Sequence, residues 1–219
     1  MRVMLLLIMV LSCDVCAADT LTRAMAYLPL YKDLSASHWP DMPLQYIPFG
    51  QVEQESSWKE RATLKTSREL GRGLTQMTIA YRADGSERFN IYREAVKWRA
   101  LKGWDWQNDP YNVRYQLTFL ILQDRTNFIT MRPMFRDTAE TWKAALVCYN
   151  AGPGRVLSRR SVAKIRGQPT DRWTGGLDST YGDGENRLLY GRPLWQAVNE
   201  YPVKVFRRAE KYRPYLERQ

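Results

Sequence analysis

Hydrophobic positions recur along this chain at three- and four-residue intervals and rarely alternate. Leu44, Ile47 and Val52 lead at helical spacing into Gln54-Glu55-Ser56-Ser57-Trp58, although Pro48 and Gly50 blur where that helix starts. Val113, Leu117, Leu120, Ile121 and Leu122 predict a second helix, after Pro110, with a broad buried face. A third spans Asp137–Asn150: Asp137 with Glu140 three residues on is a start signal, Trp142, Ala145, Leu146 and Tyr149 form the stripe, and Gly152-Pro153-Gly154 stops it. A fourth opens at Pro202, a residue suited to a first turn, and carries Val203, Phe206, Ala209 and Tyr212. The pattern predicts a mainly α protein with long connecting loops at about 61–90 and 155–190. The second loop concentrates Trp173, Gly175, Gly176, Tyr181, Gly182, Asp183 and Gly184 between Gly167 and Gly191, a mixture suited to a binding surface.

At the amino terminus, Arg2 precedes an unbroken apolar run, Val3–Leu11, and the small-residue exit Cys16-Ala17-Ala18 precedes Asp19. That is the layout of a secretory signal peptide over residues 1–18; its apolar run is too short to cross a bilayer, which takes ~20 residues. Cleavage after Ala18 would leave an amino-terminal extension, 19–43, ahead of a domain at 44–217, and would deliver the protein to the periplasm or the exterior. Val10-Leu11-Ser12-Cys13 is a looser match to a lipoprotein site, with Leu11 a poor fit. Cys13 and Cys16 leave with the peptide, so Cys148 stays alone, cannot form an internal disulfide, and reads as a small buried hydrophobe.

Composition narrows the chemistry. The 219 residues hold a single histidine, His38, so a metal site with several imidazole ligands cannot be built. A nucleophile–histidine device would have to route its protons through His38 in the loop-like stretch Ser37-His38-Trp39-Pro40, which suits it badly. Lys and Arg number 33 against 23 Asp and Glu, for a net charge of +10. The basic residues are dispersed, with no stripe and no nucleic-acid motif, so an acidic polymer outside the cell is the better-suited partner than a nucleic acid. Pairs such as Arg159-Arg160 and Arg207-Arg208 read as solvated faces.

Three short segments carry candidate chemistry. Glu55-Ser56-Ser57-Trp58 places an acid near the end of an amphipathic helix. Gly71-Arg72-Gly73-Leu74-Thr75-Gln76-Met77 offers close backbone approach and an amide that both donates and accepts. Tyr149-Asn150-Ala151-Gly152-Pro153-Gly154-Arg155-Val156 is a helix end running into a tight turn. In this order the three resemble the lytic transglycosylase domain related to soluble lytic transglycosylase and goose-type lysozyme, over roughly Leu44–Tyr215; the last segment is the most specific. Asn199-Glu200-Tyr201-Pro202-Val203 is similar to that family's final motif, in which a tyrosine begins the last helix. Two departures stand out: Gln76 follows Glu55 by 21 positions, a few more than usual, and Ala197 stands where an acid commonly precedes the tyrosine. Both are similar to divergent members encoded by phages and conjugative elements.

The resemblance implies a lysozyme-like, single helical domain that cuts the MurNAc–GlcNAc β-1,4 bond of peptidoglycan and forms 1,6-anhydromuramic acid. It makes Glu55 the catalytic acid and base, with Ser56 beside it as a substrate contact. Gly73, Leu74 and Gln76 match the glycan-binding loop, Tyr149 and Asn150 match sugar contacts, and Tyr201 matches the tyrosine that approaches the acid. It implies no metal and no cofactor, a monomer, glycan strands as partner, and service to a phage, secretion or conjugation apparatus. A carboxylic acid protonates a glycosidic oxygen at neutral pH only where apolar surroundings favour its neutral form. Val52 and Trp58 are candidate walls of such a niche. A hydrolytic muramidase would use a second carboxylate, for which Glu69 and Glu200 are the candidates. A module that only binds the wall is the non-catalytic alternative. Glu53, two positions before Glu55, points to another side of the helix and is expected to face solvent. Trp58, Trp104, Trp106 and Trp173 are core by default but lie near loops where flat faces could meet sugar.

Overall fold

The computed structural model describes residues 14–189 and 191–217. Of the signal peptide expected at 1–18, residues 1–13 lie outside them. The described chain is mainly helical with a small antiparallel sheet. It divides into two compact units, one formed by Gln123–Arg207 and the other by the described part of Ile8–Leu122 with the chain from Arg208 onward.

In the latter unit, the segment expected as an extension is mostly helix. α1 (Asp14–His38) buries Thr20, Ala24, Tyr31, Leu34 and Ser35, one stripe at helical spacing. Pro29 sits inside α1 on its exposed side, where water can satisfy the carbonyl that loses its donor. α2 (Tyr46–Ser56) is buried along its whole length. Phe49 is its aromatic hub: the rings of Tyr31, Trp58 and Tyr212 lie 5.0, 4.3 and 4.9 Å from it. Trp58 also stacks on Tyr27 at 5.6 Å, so it is core and not a sugar platform. Gly50 is explained by the same packing, since a Cβ there would stand 2.5 Å from the Ala209 backbone.

The stretch 61–90, expected as a loop, is a four-stranded antiparallel sheet. β1 (Thr63–Lys65), β2 (Glu69–Arg72), β3 (Met77–Tyr81) and β4 (Glu87–Asn90) pair in chain order. The strands are short, and the longest, β3, is buried at four successive positions without alternating, which is why no period-two signal reaches the sequence. Asn90 then caps the short α3 (Ile91–Ala95), accepting from the Tyr92 and Arg93 amides. α4 (Val113–Met131) follows, with Leu117, Leu120 and Ile121 of the expected stripe fully buried, Val113 and Leu122 partly so, and Gln116 fully buried beside them.

The unit Gln123–Arg207 is built around α5 (Thr138–Ala151), which is buried on nearly every side. Asp137 caps it, accepting from the Glu140 amide at 2.8 Å. Gly152 ends it at φ 80°, and Pro153 at once opens α6 (Pro153–Ile165). This helix occupies the first third of the loop expected at 155–190. After a short hairpin of β5 (Leu188–Leu189) with β6 (Arg192–Pro193), α7 (Leu194–Ala209) runs straight through Pro202, which is interior and not an opening residue. Its buried stripe is Leu194, Ala197, Val198, Tyr201 and Val205; Val203, expected in it, is exposed. Val147, Cys148, Ala151, Val156, Ala163, Trp173, Leu177, Ala197 and Val198 share one hydrophobic core. The chain ends in a short helix, α8 (Arg213–Leu216).

Candidate active site

Glu55 occupies the last turn of α2 and is only 3% exposed. Immediately after the helix the backbone turns through two left-handed residues, Ser57 at φ 53° and Trp58 at φ 60°. Ser57 N–H still reaches the Glu53 carbonyl at 2.9 Å, so the sharp exit leaves the end of α2 satisfied. The hydroxyl of Ser56, an expected substrate contact, donates instead to the Val52 carbonyl of its own helix.

The chain leaving α2 meets the Gly71–Gln76 segment at Ala62. The Ala62 carbonyl accepts from Gly73 N–H at 2.7 Å and from Gln76 Nε2 at 3.3 Å, which joins two of the three segments singled out in the sequence. Gln76 is itself left-handed, at φ 48°, and its Nε2 also donates to the Gly73 carbonyl at 2.9 Å. Both hydrogens of that amide are thus engaged in holding the turn. Its buried Oε1 has no hydrogen-bond partner among the described residues. Leu74, an expected wall of the glycan loop, is fully buried and anchors the turn from beneath.

A residue the motifs did not flag fixes this turn. Gln116 on α4 accepts from Thr75 N–H at 3.2 Å and donates to the Pro110 carbonyl at 2.7 Å. Gln51 is a second omission. It lies one helical turn before Glu55, hence on the same face of α2, is fully buried, and neither its amide oxygen nor its nitrogen has a partner among the described residues. Buried polar groups are nearly always satisfied, so the Gln51 amide carries hydrogen-bonding capacity that no described residue uses.

Glu53, expected to face solvent, is buried. Its carboxylate accepts from Lys211 at 2.8 Å and from Tyr212, with Arg208 at 3.8 Å. Burial first, then the Glu53 charge and hydrogen bond, hold the Tyr212 hydroxyl far above its ordinary range. Glu53 is therefore a tie between α2 and the chain from Arg208 onward. Of the two candidate second carboxylates, Glu69 sits buried on β2 with Arg88 at 3.7 Å. Glu200, on α7, is gripped by Arg192 and Lys204. Partial burial pushes its carboxyl up, but the hydrogen bonds and charges of Lys204 and Arg192 outweigh that and hold it below the usual glutamate range.

The remaining expected site residues belong to the unit Gln123–Arg207. Tyr149 is half-buried and Asn150 buried, both in the last turn of α5. Tyr201 is buried in the middle of α7, one turn beyond Ala197 and Val198, so it does not begin a helix. The Gly167–Gly191 segment, expected as a binding surface, is a scaffold. Trp173 is core, and Tyr181 stacks on Trp195 at 5.0 Å. The Glu140 carboxylate accepts from the Trp173 and Thr174 amides at 2.6 and 3.0 Å. Arg159, expected on a solvated face, is fully buried: it pairs in a fork with Glu185 at 3.2 and 2.7 Å, donates to Leu177 O and Asn199 Oδ1, and lies over the Trp173 ring.

The chain matches no protein-family model and no curated protein. The reading of the site therefore rests on its residues. Among the described residues no group of three or more His, Cys, Asp or Glu side chains could hold a metal ion, and no helix is long and apolar enough to cross a membrane.

Proposed function

We propose that this protein is a peptidoglycan lytic transglycosylase in which Glu55 serves as the sole general acid and base. The observation that carries the reading is a carboxyl only 3% exposed at the end of a helix, with the following strand of chain tied through Ala62 to the Gly73–Gln76 turn. Desolvation favours the neutral form of a carboxyl, the form that can protonate a leaving glycosidic oxygen. In substrate-assisted cleavage the acetamido group of the sugar supports the cationic centre. The glutamate, now ionised, takes the proton of the muramic 6-hydroxyl as that oxygen bonds to carbon one, and no water is consumed. Positioned proton transfer of this kind is worth about 10²- to 10⁴-fold. The unpartnered side-chain amide of Gln51 and the unpartnered Oε1 of Gln76 suit a polar, uncharged ligand such as a glycan. Glu200, held ionised by two cations, is a poor acid for the same task.

The test is digestion of purified cell wall followed by mass spectrometry of the products. Anhydromuropeptides are expected from the native protein and none from Glu55→Gln. Reducing-end muramic acid would replace this reading by hydrolysis, and undiminished cleavage by Glu55→Gln would remove Glu55 from the reaction. An intact wall with bound protein would leave a module that only binds.

A further inference from the structure

Outside the Glu55 segment, the chain between α3 and α4 builds a second feature with the chemistry of recognition. An open depression of about 470 Å³ is lined by Arg93, Val96, Trp104, Asp105, Trp106 and Gln107. Its aromatic floor is rigid. Trp104 donates its indole N–H to the Asp109 carbonyl at 2.8 Å, stacks on Tyr115 at 5.4 Å and meets the Tyr92 edge at 5.2 Å. Trp106 stacks on Tyr92 at 5.1 Å and is half-exposed. Trp104 is itself core, 4% exposed, so the surface offered to a ligand is that of Trp106, held in place from behind before any ligand arrives, which lowers the entropic cost of binding.

The rim is polar but not a field for ions. Arg93 is paired with Glu87 at 3.2 Å, the Asp105 carboxylate accepts from the neutral Asn108 amide at 2.8 Å, and the two formal charges on the rim, Arg93 and Asp105, are of opposite sign. Arg93 and Gln107 supply planar donors, while Asp105 and Gln107 supply planar acceptors. Each hydroxyl of a sugar both donates and accepts, and the axial C–H face of a pyranose ring is apolar. An indole face bordered by planar polar groups complements both properties, and the openness of the depression admits a chain that continues beyond it. The volume falls within the range of small-ligand sites. From this arrangement we infer that the Trp104–Trp106 depression binds a neutral pyranose oligosaccharide, as a holding site separate from Glu55. The inference stands on the depression alone and does not require cleavage.

The experiment uses isotope-labelled full-length protein carrying Glu55→Gln, titrated with tetra-N-acetylchitotetraose. The indole N–H resonances of Trp104 and Trp106 are expected to shift and saturate together. In the same background Trp106→Ala should weaken retention on insoluble cell wall by up to about tenfold. Gln107→Ala, an exposed position with no packing role, should weaken it in the same direction. Stationary Trp104 and Trp106 resonances, or retention of both variants equal to that of their parent, would overturn the inference. Saturable shifts here, together with a native protein that fails to cut the wall, would sink the transglycosylase reading and leave this site standing.

Discussion

A Cβ atom on residue 73 would overlap the side-chain amide of Gln116, the same amide that accepts from Thr75 N–H. Gly73 also sits at φ 77°, so both space and backbone conformation demand glycine. Gly73→Ala is expected to cost about 1–3 kcal/mol in chemical denaturation. Adding Gln116→Ala should recover only part of the loss, because it opens space without changing φ. Full recovery in the double variant would mean that the backbone conformation there carries no strain.

Arg159 and Glu185 form an ion pair that is almost wholly removed from water. Removing Glu185 strands a buried Arg159 charge, whereas Glu185 keeps Arg155 at 3.3 Å when Arg159 is removed, so Glu185→Gln should destabilise by about 3–5 kcal/mol and Arg159→Met by less. The double variant Arg159→Met with Glu185→Leu should be closer to the native protein than either. A double-mutant cycle by thermal or urea unfolding reads the coupling, and additive losses would contradict it.

Glu200 has a folded-state pKa below its unfolded one, so its contribution to stability is present above the unfolded value of about 4.3 and fades as pH falls through the folded value. Glu200→Gln is expected to lower stability by about 0.5–1 kcal/mol at pH 7, a partly exposed pair being modest. The difference should close as the pH falls through the folded value. A gap that stays constant with pH would point to lost packing instead.

Burial pushes the Cys148 thiol up to about 12. At neutral pH it is expected to stay untouched by a thiol-reactive dye in the folded protein and to react promptly in urea, as followed by absorbance. Rapid labelling of the native protein would show that the core around Cys148 opens readily.

α5 is legible in the sequence because its determinants are local: a capping Asp137, a dense apolar stripe and a glycine stop. α6 is not, because the buried face set by Val156 and Ala163 includes Arg159, and the reason an arginine can be buried there, Glu185, lies 26 residues further on. Pro202 misleads in a related way: first-turn prolines are common, but the apolar stripe of α7 starts well before it, at Leu194. In the candidate site, Glu55 and the Gly73–Gln76 turn announce themselves by residue type. Glu53 does not, since its partners Lys211 and Tyr212 come from the far end of the chain. Gln51 and Gln116 carry no motif at all; their meaning appears only once burial and hydrogen bonding are counted.

The segment from Thr170 to Glu185 has its amides taken up by Glu140 and Asp178 and its carbonyls by Arg159 and Arg160. Held at so many points, it has no slack to swing as a flap. Any hinge must therefore be sought in other parts of the molecule, and spin labels placed along this stretch should report an immobile frame.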